Sequence, residues 1–295
     1  MAKVLVLGGT MFFGKRLVEQ LLNHGHKVTI ATRGLTKDPF GDRVERLKID
    51  RIDRESLDQA FVNKSWDIVF DQSCFSAKEA LDSTEALTGK VRKYIFTSSQ
   101  AVYDFGIQCK EKDFNPLLYK YELKTRQEYK GYIGYQEAKR AAEAILFQNS
   151  NFEVVSVRLP IVVGEDDYTD RLKFHVWNIM HNRPIGITDP KARYSFIQSK
   201  EAANFLLEIG FSSFSGQINP GCSEDLSIYE LCEKIARRVK KEWTITQEVT
   251  PDNQSPYSFP GSWSVNTQLA EEMGFTFSSI DSTLNQLIDY YRNEL

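Results

Sequence analysis

The chain has 295 residues, 41% of them hydrophobic and 26% charged, enough to bury a substantial core without help from disulfides or metal. No apolar run approaches the roughly 20 residues that a membrane-spanning helix needs, and a net charge of −3 argues against the basic surface on which nucleic-acid binding depends. Cys74, Cys109, Cys222 and Cys232 are far apart with no CxxC pair, so neither a disulfide framework nor a zinc site is expected, and an N-terminus that enters a strand-like run directly predicts a cytoplasmic protein.

Residues 3–8, KVLVLG, predict a short strand ending in glycine, and Lys15 to Asn23, with Leu17, Val18, Leu21 and Leu22 on one face, predict a helix. After Gly25 come KVTIATR, RVERLKID, WDIVFDQS and KYIFTSS, each a β-rich run separated from the next by a helix-like or polar segment. A helix around Tyr135 to Gln148 leads into EVVSVRLPIVVG, a sixth strand of buried type. Strands alternating with helices imply parallel crossover units, so the fold class is α/β, a doubly wound parallel sheet over residues 1–164.

Beyond Gly164 the alternation weakens. DYTDRLKFHVWNIM has the pattern of an amphipathic helix, PIGITDPKARYSFI of loop and short strands, and SKEAANFLLEIGF of a helix that returns residues 196–211 to the first domain. SIYELCEKIARRVKK and STLNQLIDYYRNEL predict two further helices around the loop DNQSPYSFPGSW. Residues 165–195 and 212–295 therefore form a smaller, mixed α/β C-terminal lobe. The cationic patch Arg237, Arg238, Lys240 and Lys241 fits the solvated face of a helix.

The first strand and helix are joined by GGTMFFG, residues 8–14, in the strand-to-helix context that a dinucleotide fingerprint requires. Gly8 permits the tight turn and Gly14 close packing of helix on strand. A pyrophosphate would rest on the backbone of Gly9, Thr10, Met11, Phe12 and Phe13, where the helix dipole favours an anion. Met11 stands where the second glycine of the usual spacing would be, so its side chain must turn away.

Arg33 follows the second strand at the place where an acidic residue would accept from the ribose hydroxyls of NAD. Its guanidinium would pair with a 2′-phosphate, which tilts the expectation from NAD toward NADP, although a solvated loop arginine fits there too. Asp50, which would accept from the adenine amino group, and Arg51 end the third strand, and Asp71, Gln72 and Ser73 the fourth, beside the same groove, where turn formation also places such residues.

In YIGYQEAKRAAE, Tyr135 and Lys139 are four residues apart on one helical face, whereas Tyr132 precedes the expected helix start near Gly134. An ordinary pair at this spacing contributes only ~0.2–0.5 kcal/mol. The pairing also suits proton transfer, because a phenol of pKa near ~10 is a poor base at neutral pH until a nearby ammonium favours its phenolate.

Taken together, GGTMFFG, TSSQAVY at 97–103, YQEAK at 135–139 and RLPIVVGED at 158–166 resemble the extended short-chain dehydrogenase/reductase family, within it the NAD-dependent epimerase/dehydratase group. The GGTxFxG turn and the lysine-arginine pair of YQEAKRAAEAIL are most similar to its atypical branch, which includes chloroplast stem-loop RNA-binding proteins. The resemblance implies a Rossmann fold with a C-terminal substrate lobe and a bound NAD or NADP, with Thr97 and Pro160 added to the cofactor contacts. It gives Tyr135 the proton exchange with a substrate hydroxyl and Lys139 the nicotinamide ribose. Ser99, in the family's S-x-x-V-Y pattern, would hydrogen-bond the reacting oxygen, with Ser98 as the alternative.

The family's 4,6-dehydratases carry an Asp-Glu pair directly after that hydroxyl residue, where this chain has Gln100 and Ala101, so elimination is disfavoured and reduction, oxidation or epimerisation remain. The resemblance further implies a small-molecule substrate, a nucleotide sugar, touching Gln100, Tyr103 and Arg193, the last as a phosphate grip. Residues 104–131, long and tyrosine-rich, form a lid or a surface excursion. His24, His26, His175 and His181 carry no ligand-like partners. The expected function is that of an NAD(P)-dependent epimerase or reductase acting at a secondary alcohol or ketone; the rival is a non-catalytic scaffold that binds a dinucleotide together with RNA or protein. Family members pair through helices beside the site, which makes a homodimer the expected assembly.

Overall fold

The run KVLVL forms strand β1 (Lys3–Leu7), in which Val4 to Leu7 are fully buried, as a strand covered on both faces must be. A computed structural model describes residues 1–294. In chain order there follow α1 (Phe12–Asn23), β2 (Lys27–Thr32), β3 (Val44–Lys48), α2 (Arg54–Ala60), β4 (Trp66–Asp71), α3 (Ala77–Leu87), β5 (Val91–Ser99), β6 (Gly106–Cys109), α4 (Gly131–Asn149), β7 (Glu153–Leu159) and β8 (Ile161–Val163). The remainder comprises α5 (Arg171–Met180), β9 (Ile185–Gly186), β10 (Arg193–Gln198), α6 (Ser199–Phe211), β11 (Gly216–Ile218), β12 (Asp225–Ser227), α7 (Ile228–Val239), β13 (Ile245–Thr246), β14 (Trp263–Val265), α8 (Gln268–Glu272) and α9 (Ile280–Glu294).

Seven parallel strands form one sheet in the order β11-β7-β5-β4-β1-β2-β3. Strand order reverses between β1 and β4, the switch point at which doubly wound sheets of the Rossmann type open a crevice. Six strands were predicted; the seventh is the three-residue β11, whose Gly216 to Ile218 pair with Val155 to Val157. Leu5, Leu7, Val69 and Phe96 meet Ala141, Ile145 and Leu146 of α4 in one hydrophobic cluster.

Two compact units divide the chain. The first comprises residues 1–103, 111–159 and 202–219, and the second residues 104–110, 160–201 and those from 220 onward. In the second, β10 is antiparallel to β12 and parallel to β14 along its first half, and parallel to β8 along its second half. Helices α5, α7 and α9 of that unit pack on one another.

The long connection after β5 is tied down rather than free. Gly106 to Cys109 form β6 against Trp263 to Val265 in the second unit, while Tyr119 and Tyr121 lie against the hydrophobic cluster of the first. Helix α4 begins at Gly131, one turn earlier than expected, so Tyr132 lies within it, and 38% of Tyr132 is exposed. Among the described residues, no helix is long and apolar enough to cross a membrane.

Candidate active site

The glycine turn is built from steric necessity. Gly8 and Gly9 have φ of 101° and 81°, in the left-handed half of the map. A Cβ on Gly9 would lie 2.8 Å from both Val6 Cγ1 and Val18 Cγ2, and one on Gly14 would lie 3.3 Å from Gly9 Cα, so α1 and β1 approach as closely as only glycine allows. Met11 is the N-cap residue of α1, with no capping bond from its side chain, which is turned outward and 44% exposed. With no acidic residue in its first turn, α1 presents an uncompensated positive end.

At the end of β4, the Gln72 stem lies against this turn, 3.6 Å from where a Gly14 Cβ would stand. Both its amide atoms are buried without a hydrogen-bond partner, and so is the Thr97 hydroxyl at the end of β5. Buried polar groups left unpaired cost stability, and a polar ligand at this place would supply the missing partners.

Arg51, expected to border the groove, is instead buried. Its Nη1 and Nη2 donate to Asp71 Oδ1 and Oδ2 at 2.8 and 2.6 Å, and Nη2 to Ser83 Oγ at 2.8 Å, while Tyr94 donates its hydroxyl to the same carboxylate. Burial opposes the Arg51 charge, but Asp71 outweighs it and holds its pKa well above the ordinary value. Asp50 is exposed and serves its own turn, accepting from Ile52 N at 3.2 Å. Ser73 donates its N–H to Asp71 Oδ1 at 3.0 Å, and Arg33 is exposed just past β2.

Helix α4 brings Tyr135 and Lys139 to the ends of β4 and β5. The Lys139 ammonium, only 7% exposed, donates to Cys74 O at 2.9 Å and Thr97 O at 3.0 Å, and sits 4.8 Å from the Phe96 ring and 6.0 Å from that of Tyr135. An ammonium has three donors, so one is left over among the described residues. Tyr135 is partly exposed, with Phe75 beside it at 5.8 Å between ring centroids.

The two serines after β5 separate cleanly. Ser98 is buried and donates to Glu143, whereas Ser99 is partly exposed and accepts from Ala101 N at 3.2 Å. The turn that follows Ser99 is pinned to α4 by Gln136 and Arg140, which donate to Tyr103 O and Val102 O.

Tyr103 is not available to a substrate in this arrangement. It is 2% exposed, and its hydroxyl donates to Asn219 Oδ1 at 2.8 Å and accepts from Arg158 Nη1 at 2.9 Å. Gln100 is 5% exposed and its Oε1 lacks a partner. Sequence reasoning missed Glu143, the fully buried partner of Arg158 at 2.7 Å; an arginine inside the apolar run EVVSVRLP was the available signal.

In the second unit, Pro160 is buried, and a Cβ on Gly221 would come within 3.0 Å of its Cγ. Arg193 on β10, expected to grip phosphate, has its fork engaged: Nε with Asp225 Oδ1 at 2.6 Å, Nη2 with Asp225 O at 2.8 Å and Nη1 with Glu230 at 3.0 Å. Its hydrogen bond to Asp225 raises its pKa. His175 is enclosed between Arg171 O and Ser255 Oγ, each at 2.8 Å, and burial lowers its pKa to about 4.

A sequence model of the NAD dependent epimerase/dehydratase family matches residues 4–210. Chloroplast stem-loop binding protein of 41 kDa b from Arabidopsis thaliana is 28% identical over 203 residues, 63% of this chain and 48% of the relative, so the chain spans about half that protein's length. UDP-glucose 4-epimerase of Thermus thermophilus, solved with NAD, superposes with a TM-score of 0.73 at 19% identity, covering 99% of this chain and 100% of the other. The enzyme of the same name from Thermotoga maritima, solved with UDP-glucose, gives 0.75 at 15% identity and 99% coverage of both chains. Pal from Bacillus thuringiensis gives 0.75 at 20% identity, with 99% and 100% covered. At these identities the likeness speaks for the fold.

Proposed function

Because this chain belongs to the NAD dependent epimerase/dehydratase family, we propose that it binds a nicotinamide dinucleotide on the glycine turn of its first unit and interconverts a secondary alcohol and a ketone, with a nucleotide sugar, reacting at its 4-position, as substrate. The observation that carries this reading is Lys139, a buried ammonium with one donor to spare, on the same helical face as the partly exposed Tyr135. The residues present fit the cofactor: the uncapped start of α1 would take the pyrophosphate, and the unpartnered Gln72 amide and Thr97 hydroxyl offer polar contacts along the groove.

When bound, the nicotinamide supplies the acceptor and donor of hydride. Tyr135 exchanges a proton with the substrate hydroxyl, and the Lys139 cation stabilises the phenolate formed when that proton leaves. Ser99, free of the core bond that occupies Ser98, donates to the reacting oxygen. The rings of Phe75 and Phe96 give the tyrosine and the ammonium apolar neighbours that keep water away and strengthen the electrostatic coupling. Gln100 and Ala101 stand where elimination would need an acid and a base, which supports epimerisation or reduction over 4,6-dehydration. Arg33, exposed past β2, supports NADP.

A second reading, a dinucleotide-binding scaffold that holds RNA, draws support from the name of the 28% identical relative; the net charge of −3 counts against it. Titration with NADH and NADPH, followed by a screen of UDP- and dTDP-sugars for interconversion or cofactor oxidation, tests the choice. Cofactor binding with turnover of at least one sugar is expected. Silence across all sugars, together with salt-sensitive RNA binding, would reverse the order.

A further inference from the structure

Arg126 lies in a short helical turn, Arg126–Glu128, near the end of the long connection before α4. That turn is anchored twice. Thr125 donates both its N–H and its hydroxyl to Glu128 Oε2 at 2.7 Å, and Lys78 N donates to Lys124 O at 3.1 Å. From this base the Arg126 guanidinium forms a bidentate pair with Glu79, Nε to Oε1 at 2.7 Å and Nη2 to Oε2 at 2.8 Å, while Nη2 also donates to Ser73 O at 3.0 Å. Its Cζ stands 4.9 Å from the centre of the Phe75 ring.

Ser73, Cys74 and Phe75 form the turn after β4, and charged side chains seize its backbone at every step. Asp71 Oδ1 accepts from Ser73 N and Cys74 N, each at 3.0 Å, and Glu79 Oε2 accepts from Phe75 N at 2.9 Å. Arg126 takes the Ser73 carbonyl, and Lys139 takes the Cys74 carbonyl. The Phe75 ring in turn neighbours both the Arg126 guanidinium and the Tyr135 ring. One turn therefore touches both proposed catalytic groups, Lys139 through a carbonyl and Tyr135 through an aromatic face.

We propose that Arg126 is a positioning residue, which sets Tyr135 and Lys139 in register by clamping the Ser73–Phe75 turn; the proposal rests on the catalytic reading above. The Arg126 side chain is 44% exposed, so water reaches its side of the pair. Its partner Glu79 is only 2% exposed, and the nearest alternative cation, Arg51 at 4.0 Å, is already committed to Asp71. Loss of Arg126 leaves this carboxylate short of a cation, at some cost to the fold, and releases Glu79 to swing away from Phe75 N, so that the turn moves under both catalytic groups.

Protein labelled with 3-fluorotyrosine separates this role from mere support. Its Tyr135 fluorine resonance is assigned by its disappearance in Tyr135→Phe and followed in the NADH complex. Arg126→Gln should displace that resonance, with a fall in the unfolding midpoint of no more than about 10 °C that leaves the protein folded at the assay temperature. On a nucleotide sugar that the wild type turns over, kcat should fall about tenfold to a hundredfold, as expected for a misplacement of around 1 Å, with KM nearly unchanged. Arg126→Lys, which keeps the charge facing Glu79 but not the fork, should recover part of the loss, and Phe75→Leu should reproduce it. An unmoved resonance with unchanged kcat overturns the proposal, as does a loss of kcat that only follows the fraction of unfolded protein at the assay temperature. Should the wild type turn over no sugar, the proposed function fails, and the fluorine resonance alone decides the clamp.

Discussion

Arg158→Met is the sharpest probe of what holds the candidate site in place. Arg158 and Glu143 are both fully buried, and the guanidinium reaches Glu143 through Nε and Nη2, the Tyr103 hydroxyl and Glu111 O through Nη1, and Phe114 O through Nη2. Glu143 Oε1 also accepts from Ser156 Oγ at 2.7 Å and from Ser98, so this carboxylate joins α4 to both β5 and β7. Methionine fills the space of the stem but leaves the carboxylate buried without its cation, which costs about 3–5 kcal/mol. At about 2–4 °C per kcal/mol for a domain of this size, the unfolding midpoint should fall by roughly 6–20 °C. Urea denaturation followed by tyrosine and tryptophan fluorescence measures the loss directly. Arg158→Met combined with Glu143→Leu removes both charges and should recover most of it, because the penalty belongs to the orphaned partner rather than to the pair. A single variant that loses less than about 1 kcal/mol, or a double variant as unstable as the two singles added, would refute the reasoning.

Tyr135→Phe should lower turnover by about 10²–10⁴-fold while leaving NADH affinity and the unfolding midpoint unchanged; destabilisation in place of lost turnover would make the tyrosine a packing residue. Gly9→Ala should cost about 1–3 kcal/mol in thermal unfolding and weaken NADH binding, since its Cβ would meet Val6 and Val18 at 2.8 Å from a φ of 81°. An alanine variant as stable as the parent would show that the turn has slack. His175 resists protonation when folded, so as pH falls from 6.5 toward about 4 the unfolded chain takes up a proton that the folded chain does not, and stability declines through that window. The decline should reach roughly 3 kcal/mol. His175→Phe should flatten it, measured as the urea midpoint at several pH values, and an unchanged slope would place its origin elsewhere.

The parts of this fold that were legible in the sequence are those whose cause is local. The apolar run of β1, the glycine turn and the helical spacing of Tyr135 and Lys139 each follow from neighbours within a few residues. The parts that were not legible depend on partners far along the chain. Strand β6 exists because Trp263 to Val265 lie beside it, and β11 is three residues long, too short to reveal a period. Arg51, Tyr103 and Arg193 were read as ligand contacts because a cation or a phenol beside a strand end looks the same whether or not a carboxylate or an amide faces it. Asp71, Asn219 and Asp225 supply those faces from 20, 116 and 32 residues away. The pairing of Arg126 is illegible for the same reason, its partner Glu79 being 47 residues distant.

Tyr135, Lys139 and Glu143 follow one another at intervals of four along α4, from partial exposure through 7% to none. A residue inserted between Lys139 and Glu143 would rotate the two halves of the helix against each other by about 100°. Either the proposed reactive end or the ionic anchor would then face the wrong way. The spacing along this segment therefore matters as much as the side chains it carries.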